Sequence, residues 1–323
     1  MLTPLDPLLS LAARNHGLVT RAQAADLQIS TAALDKRVRD GRLLVVHRGV
    51  YRAAGAPVTW SSRLLAACLA TGGVASHRSA ATLLGVRDAR RGPPEVTTER
   101  ALRSRQDVPR IHRSRDLHKA TLLTIDGIPT TAPSRLAVDL GAVWPEPRVE
   151  GALHDLVARG QLSWDDVAVA VMRHSRRGRD GVGVARRIVE RRIDGLVGDS
   201  VLESLVLAML FDAGLPTPQT QVEIFDGDGF IARVDVAWVD RGVIVEADSL
   251  AFHLTGDAFQ ADKAKRNRLR VAGWFVHEVT WEMCMDHGAR TVAEIRSALD
   301  ARPPGSFGAT PYRSGVIFQP SGP

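Results

Sequence analysis

Cysteine is nearly missing from this 323-residue chain. Cys68 and Cys284 are too few for a disulfide framework or a four-cysteine metal site, so a reducing, cytoplasmic setting is expected. Long apolar runs are missing too. None is longer than Leu205 to Phe211, which suits a core helix, and with a mean hydropathy of −0.06 a transmembrane helix is excluded and no membrane partner expected. The start, Met1-Leu-Thr-Pro-Leu-Asp, has no basic segment followed by an apolar one, so no export signal is visible. Lysine is scarce as well, four beside 38 arginines.

What is present is a 45% apolar content, enough for two or three cored domains, and a net charge of +6 that hides two unlike regions. Residues 1–198 carry 31 Lys and Arg against 19 Asp and Glu, whereas residues 199–302 carry 10 against 17. A basic region of this size points to a polyanionic partner; its alternative is an ordinary solvated surface.

Residues 1–55 read as three short helices and a hairpin. Leu5, Leu8, Leu9 and Ala12 share a helical face ended by Gly17; Thr20 caps a second helix, and Ser30 a third reaching Asp40-Gly41. The stretch from Leu43 to Ala53 alternates and breaks at Arg48-Gly49 as a hairpin does. That order is a winged helix. Lys36, Arg37 and Arg39 on the third helix and Arg42, His47, Arg48 and Arg52 around the wing are the candidate DNA contacts, since a recognition helix and a wing need cations for phosphate. The bland alternative is a small helical domain with surface arginines.

Residues 56–150 form a small α/β middle domain, with helices near 59–71 and 76–84, strands around 94–98, 110–112, 121–125 and 128–131, and a helix from Ser134. His77-Arg78 lacks a nearby carboxylate or a metal spacing, which favours a structural or phosphate-contact role. Residues 151–198 read as a helical connector and 303–323 as a disordered tail.

Residues 199–302 read α-β-β-β-α-β-α. Asp235 lies inside Val234-Asp-Val-Ala-Trp-Val and Glu246 inside Val243-Ile-Val-Glu-Ala-Asp248, although aspartate is depleted in strands and costly to bury unpaired. A two-residue turn at Asp240-Arg241 puts residue 235 opposite 246; a bulge at Gly242 shifts that register. Glu203 is a third acid in an apolar helix. Such a cluster suits a hard cation with oxygen ligands, provided the carboxylates converge on one point. The alternative is an exposed hairpin whose acids pair with Arg233 and Arg241.

Glu203, Asp235, Glu246-Ala-Asp248 and the later Asp262, Arg266, Gly273-Trp-Phe-Val and Val279-Thr-Trp together resemble the PD-(D/E)XK nuclease superfamily, within it the small domain related to the very-short-patch repair endonuclease. The resemblance implies a restriction-endonuclease-like α/β domain and hydrolysis of phosphodiester bonds with Mg²⁺ or Mn²⁺. It assigns Asp235 and Glu246 as ligands and Glu203 as an accessory acid. The superfamily's Glu-X-Lys is here Glu246-Ala-Asp248. His253 is the candidate base or leaving-group acid, and Lys263, Lys265 or Arg266 the candidate replacement cation.

In the basic half, Gly17-Leu-Val-Thr-Arg, Gly41-Arg-Leu and Gly49-Val-Tyr-Arg resemble the AbiEi-type antitoxin winged helix. Ser76 to Gly85 and Gly127 to Asp139 resemble the domain that follows it. This implies promoter binding, autorepression and a link to phage defence, with a cognate toxin or defence partner. The whole is expected to be an α+β multidomain protein: winged helix, small α/β middle domain, helical connector and nuclease-like domain. Two functions compete: a duplex-DNA nuclease in phage defence or repair, and a non-enzymatic antitoxin-like regulator with a degenerate nuclease fold. RNA is the less favoured substrate, because a recognition helix fits the major groove of B-form DNA.

Overall fold

The computed structural model describes residues 7–101, 109–117, 122–175, 179–192, 198–248, 256–308, 311–313 and 315–317. Helices and strands are mixed throughout, with three sheets, and the chain divides into two compact units. The first comprises residues 1–162 and 176–185, the second 163–175 and 186–323.

The first unit opens with helix α1 (Pro7–Arg14), strand β1 (Leu18–Thr20), helices α2 (Arg21–Asp26) and α3 (Thr31–Arg39), and strands β2 (Leu43–His47) and β3 (Val50–Ala53). The three strands pair in the order β1-β3-β2, the arrangement of a winged helix. Local chemistry sets each boundary. Gly17, at φ 80, turns the chain out of α1, where its N–H reaches the Ala12 carbonyl at 2.8 Å. Thr20 forms a capping box with Gln23, and the Ser30 hydroxyl accepts the Ala33 N–H. Arg48-Gly49 is the hairpin turn. Two details depart from the periodicity. Leu9 is exposed while Leu8 and Ala12 are buried, and Leu5 lies outside the described residues. Strand β2 also exposes Leu44, Val45 and Val46, because a bulge between Val45 and His47 on an edge strand breaks the alternation.

Next come α4 (Trp60–Thr71), β4 (Val74–Ala75), α5 (His77–Leu83), β5 (Glu95–Thr98), β6 (Arg110–Arg113), β7 (Leu122–Ile125), β8 (Ile128–Thr131), α6 (Pro133–Gly141) and α7 (Glu146–Ala158). Their sheet runs β6-β5-β4-β8-β7. The short central β4 escapes sequence reading, being only two residues long. The division expected at residue 55 is not a break in packing: Leu18 and Val50 of the wing sheet share one core with Trp60, Leu64, Val96 and Ile128. The segment read as a connector is likewise no separate body. Residues 151–162 and 176–185 belong to the first unit, whereas α8 (Trp164–His174) belongs to the second.

In the second unit α8 is followed by α9 (Val182–Arg192), which begins in the first unit, and by α10 (Gly198–Asp212). Helices α8 and α10 are joined by Arg173 to Asp212 at 2.8 Å and by the Ser204 hydroxyl donating to Asp165 at 2.8 Å. Then come β9 (Gln219–Asp226), β10 (Gly229–Trp238), β11 (Val243–Ala247), α11 (Gly256–Val271), β12 (Phe275–Val279), α12 (Trp281–Asp286), α13 (Gly288–Asp300), β13 (Tyr312–Arg313) and β14 (Val316–Ile317). The sheet runs β12-β11-β10-β9-β13, with β14 also on β9. Strands β11 and β12 are parallel, which requires a crossover, and α11 supplies it. Val222, Ile224, Val234, Ile244, Leu269 and Trp274 form the core beneath. The described part of the tail corrects the expectation of disorder. Strands β13 and β14 gain hydrogen bonds by pairing with β9, although Tyr312 and Val316 stay exposed, and Phe307 packs on Trp274 at 4.6 Å between ring centroids.

Candidate functional site

Lys36, Arg39, Arg42 and Arg48 of the winged helix are exposed, whereas Arg37 and Arg52 are half-buried. Arg37 donates to the Ala33 carbonyl at 3.2 Å, and the Arg52 Nε is enclosed without a hydrogen-bond partner among the described residues. Lys36, Arg37 and Arg39 all lie in the last turn of α3, where cations also offset the helix dipole. The first turn, which in such a helix meets base edges, offers Thr31 and Ala32 instead. These cations therefore suit phosphate contacts more than base reading. Burial lowers the affinity of His47 for a proton.

The carboxylates lie in the second unit. The β10–β11 register pairs Val236 with Val245 and Trp238 with Val243, so Asp235 falls directly opposite Glu246. A 3-10 turn over Val239–Arg241 with a left-handed Gly242 closes the hairpin without shifting that register. Strand β9 sets Gln221 beside Asp235, and parallel β12 sets Glu278 beside Glu246. Gln221, Asp235, Glu246 and Glu278 thus form one cross-strand polar row.

Hydrogen bonds tie the row together. Asp235 Oδ2 accepts the Ala247 N–H at 2.9 Å, and Gln221 Nε2 donates to Glu203 Oε2 at 3.2 Å and lies 3.5 Å from Asp235 Oδ1. Glu203 is therefore linked to the pair through an amide. Lys265, from α11, brings its ammonium to 3.0 Å from Glu246 Oε1, and Arg266 meets Glu278. Glu246 Oε1 is buried without a well-directed hydrogen bond, so the lysine contact is an ion pair at short range. Burial pushes the Glu246 carboxyl up to about 7; Lys265 opposes that shift and Asp235 adds to it.

The expected three-carboxylate set is thus assembled only as an adjacent pair with a neighbour. Among the described residues no group of three or more His, Cys, Asp and Glu side chains is arranged to hold a metal ion. The Asp248 N–H donates to the Val279 carbonyl at 2.9 Å, Lys263 is exposed, and His253 lies outside the described residues. Gln221 and Glu278 escaped sequence reading, because only the strand register brings them beside the acids.

Residues 6–54 match the family model described as transcriptional regulator, AbiEi antitoxin. The match covers the winged helix. Two uncharacterized proteins of Mycobacterium tuberculosis, MT2308 of strain CDC 1551 / Oshkosh and Rv2248 of strain H37Rv, are each 29% identical to the chain over 269 residues. The alignment covers 83% of this chain and 96% of each relative, so the likeness extends well past the winged helix. No helix among the described residues is long and apolar enough to cross a membrane.

Proposed function

We propose that the chain binds duplex DNA through its winged helix and hydrolyses a phosphodiester bond in its second unit, with Mg²⁺ or Mn²⁺ held by Asp235 and Glu246. The regulator-family match over residues 6–54 supports the DNA-binding part. The hydrolytic part rests on one observation: Asp235, Glu246 and Lys265 come together from two adjacent strands and a following helix. The helix thereby supplies the lysine that Glu246-Ala-Asp248 lacks.

The residues fit a hard cation. Mg²⁺ takes one or two carboxylates and keeps its remaining waters, and Asp235 and Glu246, opposite one another on adjacent strands, offer two. When bound, such an ion acts as a Lewis acid and lowers the pKa of a bound water. Asp235 is oriented by the Ala247 N–H, and Gln221 holds Glu203 nearby to receive a further donor. Lys265 supplies positive charge for phosphoryl oxygens as they gain charge.

A second reading, a non-enzymatic antitoxin-like regulator serving phage defence with a cognate toxin or defence partner, also has a specific observation in its favour. The charge of Glu246 is already answered by Lys265, as in a purely structural ion pair. Incubating purified protein with supercoiled and linear DNA, with Mg²⁺, Mn²⁺ or chelator, separates the two. Metal-dependent cutting lost in Asp235→Asn supports the nuclease. Equal inertness of wild type and variant, with DNA binding retained by both, supports the regulator.

A further inference from the structure

A cleft of about 330 Å³ opens in the first unit, with His77, Thr97, His112, Arg135, Asp139 and Arg179 among its lining. Two segments singled out by their sequence pattern meet there. Residues 76–85 bring His77, and residues 127–139 bring Arg135 and Asp139. Neither DNA binding by the winged helix nor the carboxylate row uses them.

The lining is built and polar. His77 stacks on His112, with ring centroids 3.5 Å and planes 13° apart. Its φ of 50 is in the left-handed region, a strained conformation that persists only when the surroundings hold it. His77 Nδ1 lies 2.9 Å from the Ser76 hydroxyl, to which Thr97 also donates at 2.8 Å. Buried Arg135 donates to Asp139 Oδ1 at 2.8 Å and to the Ser114 hydroxyl at 3.2 Å. Arg179 meets Asp116 and lies 3.5 Å from Asp139 Oδ1.

The buried cations of this lining are paired. Arg135 and Arg179 meet Asp139 of the lining and Asp116 outside it. Arg113 and Asp180 are exposed at the rim. Burial lowers the proton affinity of both imidazoles, that of His77 to a pKa of about 4, so both rings are neutral at pH 7. A phosphate would find neither buried guanidinium uncompensated.

One acceptor is unspent. Asp139 is 3% exposed, and its Oδ2 has no hydrogen-bond partner among the described residues; the buried His112 Nε2 also has none. A buried acceptor left unsatisfied keeps its desolvation cost, so a ligand carrying a donor is favoured at this point.

We propose that the cleft binds a small, uncharged, planar molecule bearing N–H groups, of nucleoside size, which donates to Asp139 Oδ2 and seats its ring beside the His77–His112 pair. A cleft at the small end of ligand-pocket sizes, polar and with its buried guanidinium groups already paired, selects such a molecule over an anion or a lipid.

The test is calorimetric titration of the full chain with adenosine, guanosine, cytidine and uridine in turn, with inorganic phosphate as the anion. One nucleoside is expected to bind with a Kd below about 1 mM, and phosphate not at all. Asp139→Asn should abolish binding. Because that change also touches a buried ion pair, Ala142→Trp, at an exposed lining position, provides a second arm. It should weaken binding at least about tenfold with unchanged thermal stability. Absence of nucleoside binding, binding of phosphate in its place, or undiminished affinity in Ala142→Trp overturns the proposal.

Discussion

Asp235 stands directly opposite Glu246 across the β10–β11 hairpin, and the N–H of Ala247, the next residue on, donates to the Asp235 carboxylate at 2.9 Å. Burial raises the proton affinity of Glu246, the neighbouring acid Asp235 adds to that rise, and Lys265 answers only part of it.

Removing the cation beside Glu246 should separate the two candidate lysines. If the domain hydrolyses DNA, Lys265→Met is expected to lower turnover on the order of a hundredfold with KM little changed, as for a group acting on developing charge. Lys263→Met, at an exposed position, should change it less than about threefold. Steady-state cleavage of a labelled duplex measures both.

The wing cations should contribute charge and not sequence selectivity. Arg42→Ala with Arg48→Ala is expected to weaken binding to unrelated duplexes alike and to reduce the salt slope of log K by about 1 per lost phosphate contact. Fluorescence anisotropy across a salt series checks it; a selective loss on one sequence would instead assign these residues to base reading.

Thr20→Ala removes the hydroxyl that accepts the Gln23 N–H in the α2 capping box and leaves the bond from the residue-20 backbone N–H to Gln23 Oε1. A loss of about 1 kcal/mol is expected, read as a lower urea midpoint with unchanged slope.

The stability of the first unit should fall in acid through His77. Its pKa is about 4 in the folded protein against 6.5 when unfolded, so between these values the unfolded chain binds more protons. Stability from this group is therefore complete above about pH 6.5 and is lost as pH falls towards 4. Burial holds the pKa down, helped by His112 and Arg135, while Asp139 and Glu95 oppose it. His77→Gln should flatten the decline in urea-unfolding midpoint between pH 6.5 and 4; an unchanged decline would assign the acid sensitivity elsewhere.

The sequence by itself determined the local structure: the caps at Thr20 and Ser30, the Arg48-Gly49 hairpin, and the placing of acids 235 and 246 within two strands. These follow from side chains acting on backbone within a few residues, so they can be read in order along the chain. Only the tertiary structure decided which lysine meets Glu246, that Gln221 and Glu278 complete the row, and that His77 stacks on His112. It also decided that the wing and middle segments share a core and that the tail pairs with β9. These contacts join positions far apart in the chain, and strand register and helix packing fix them only once the whole apolar surface is buried together.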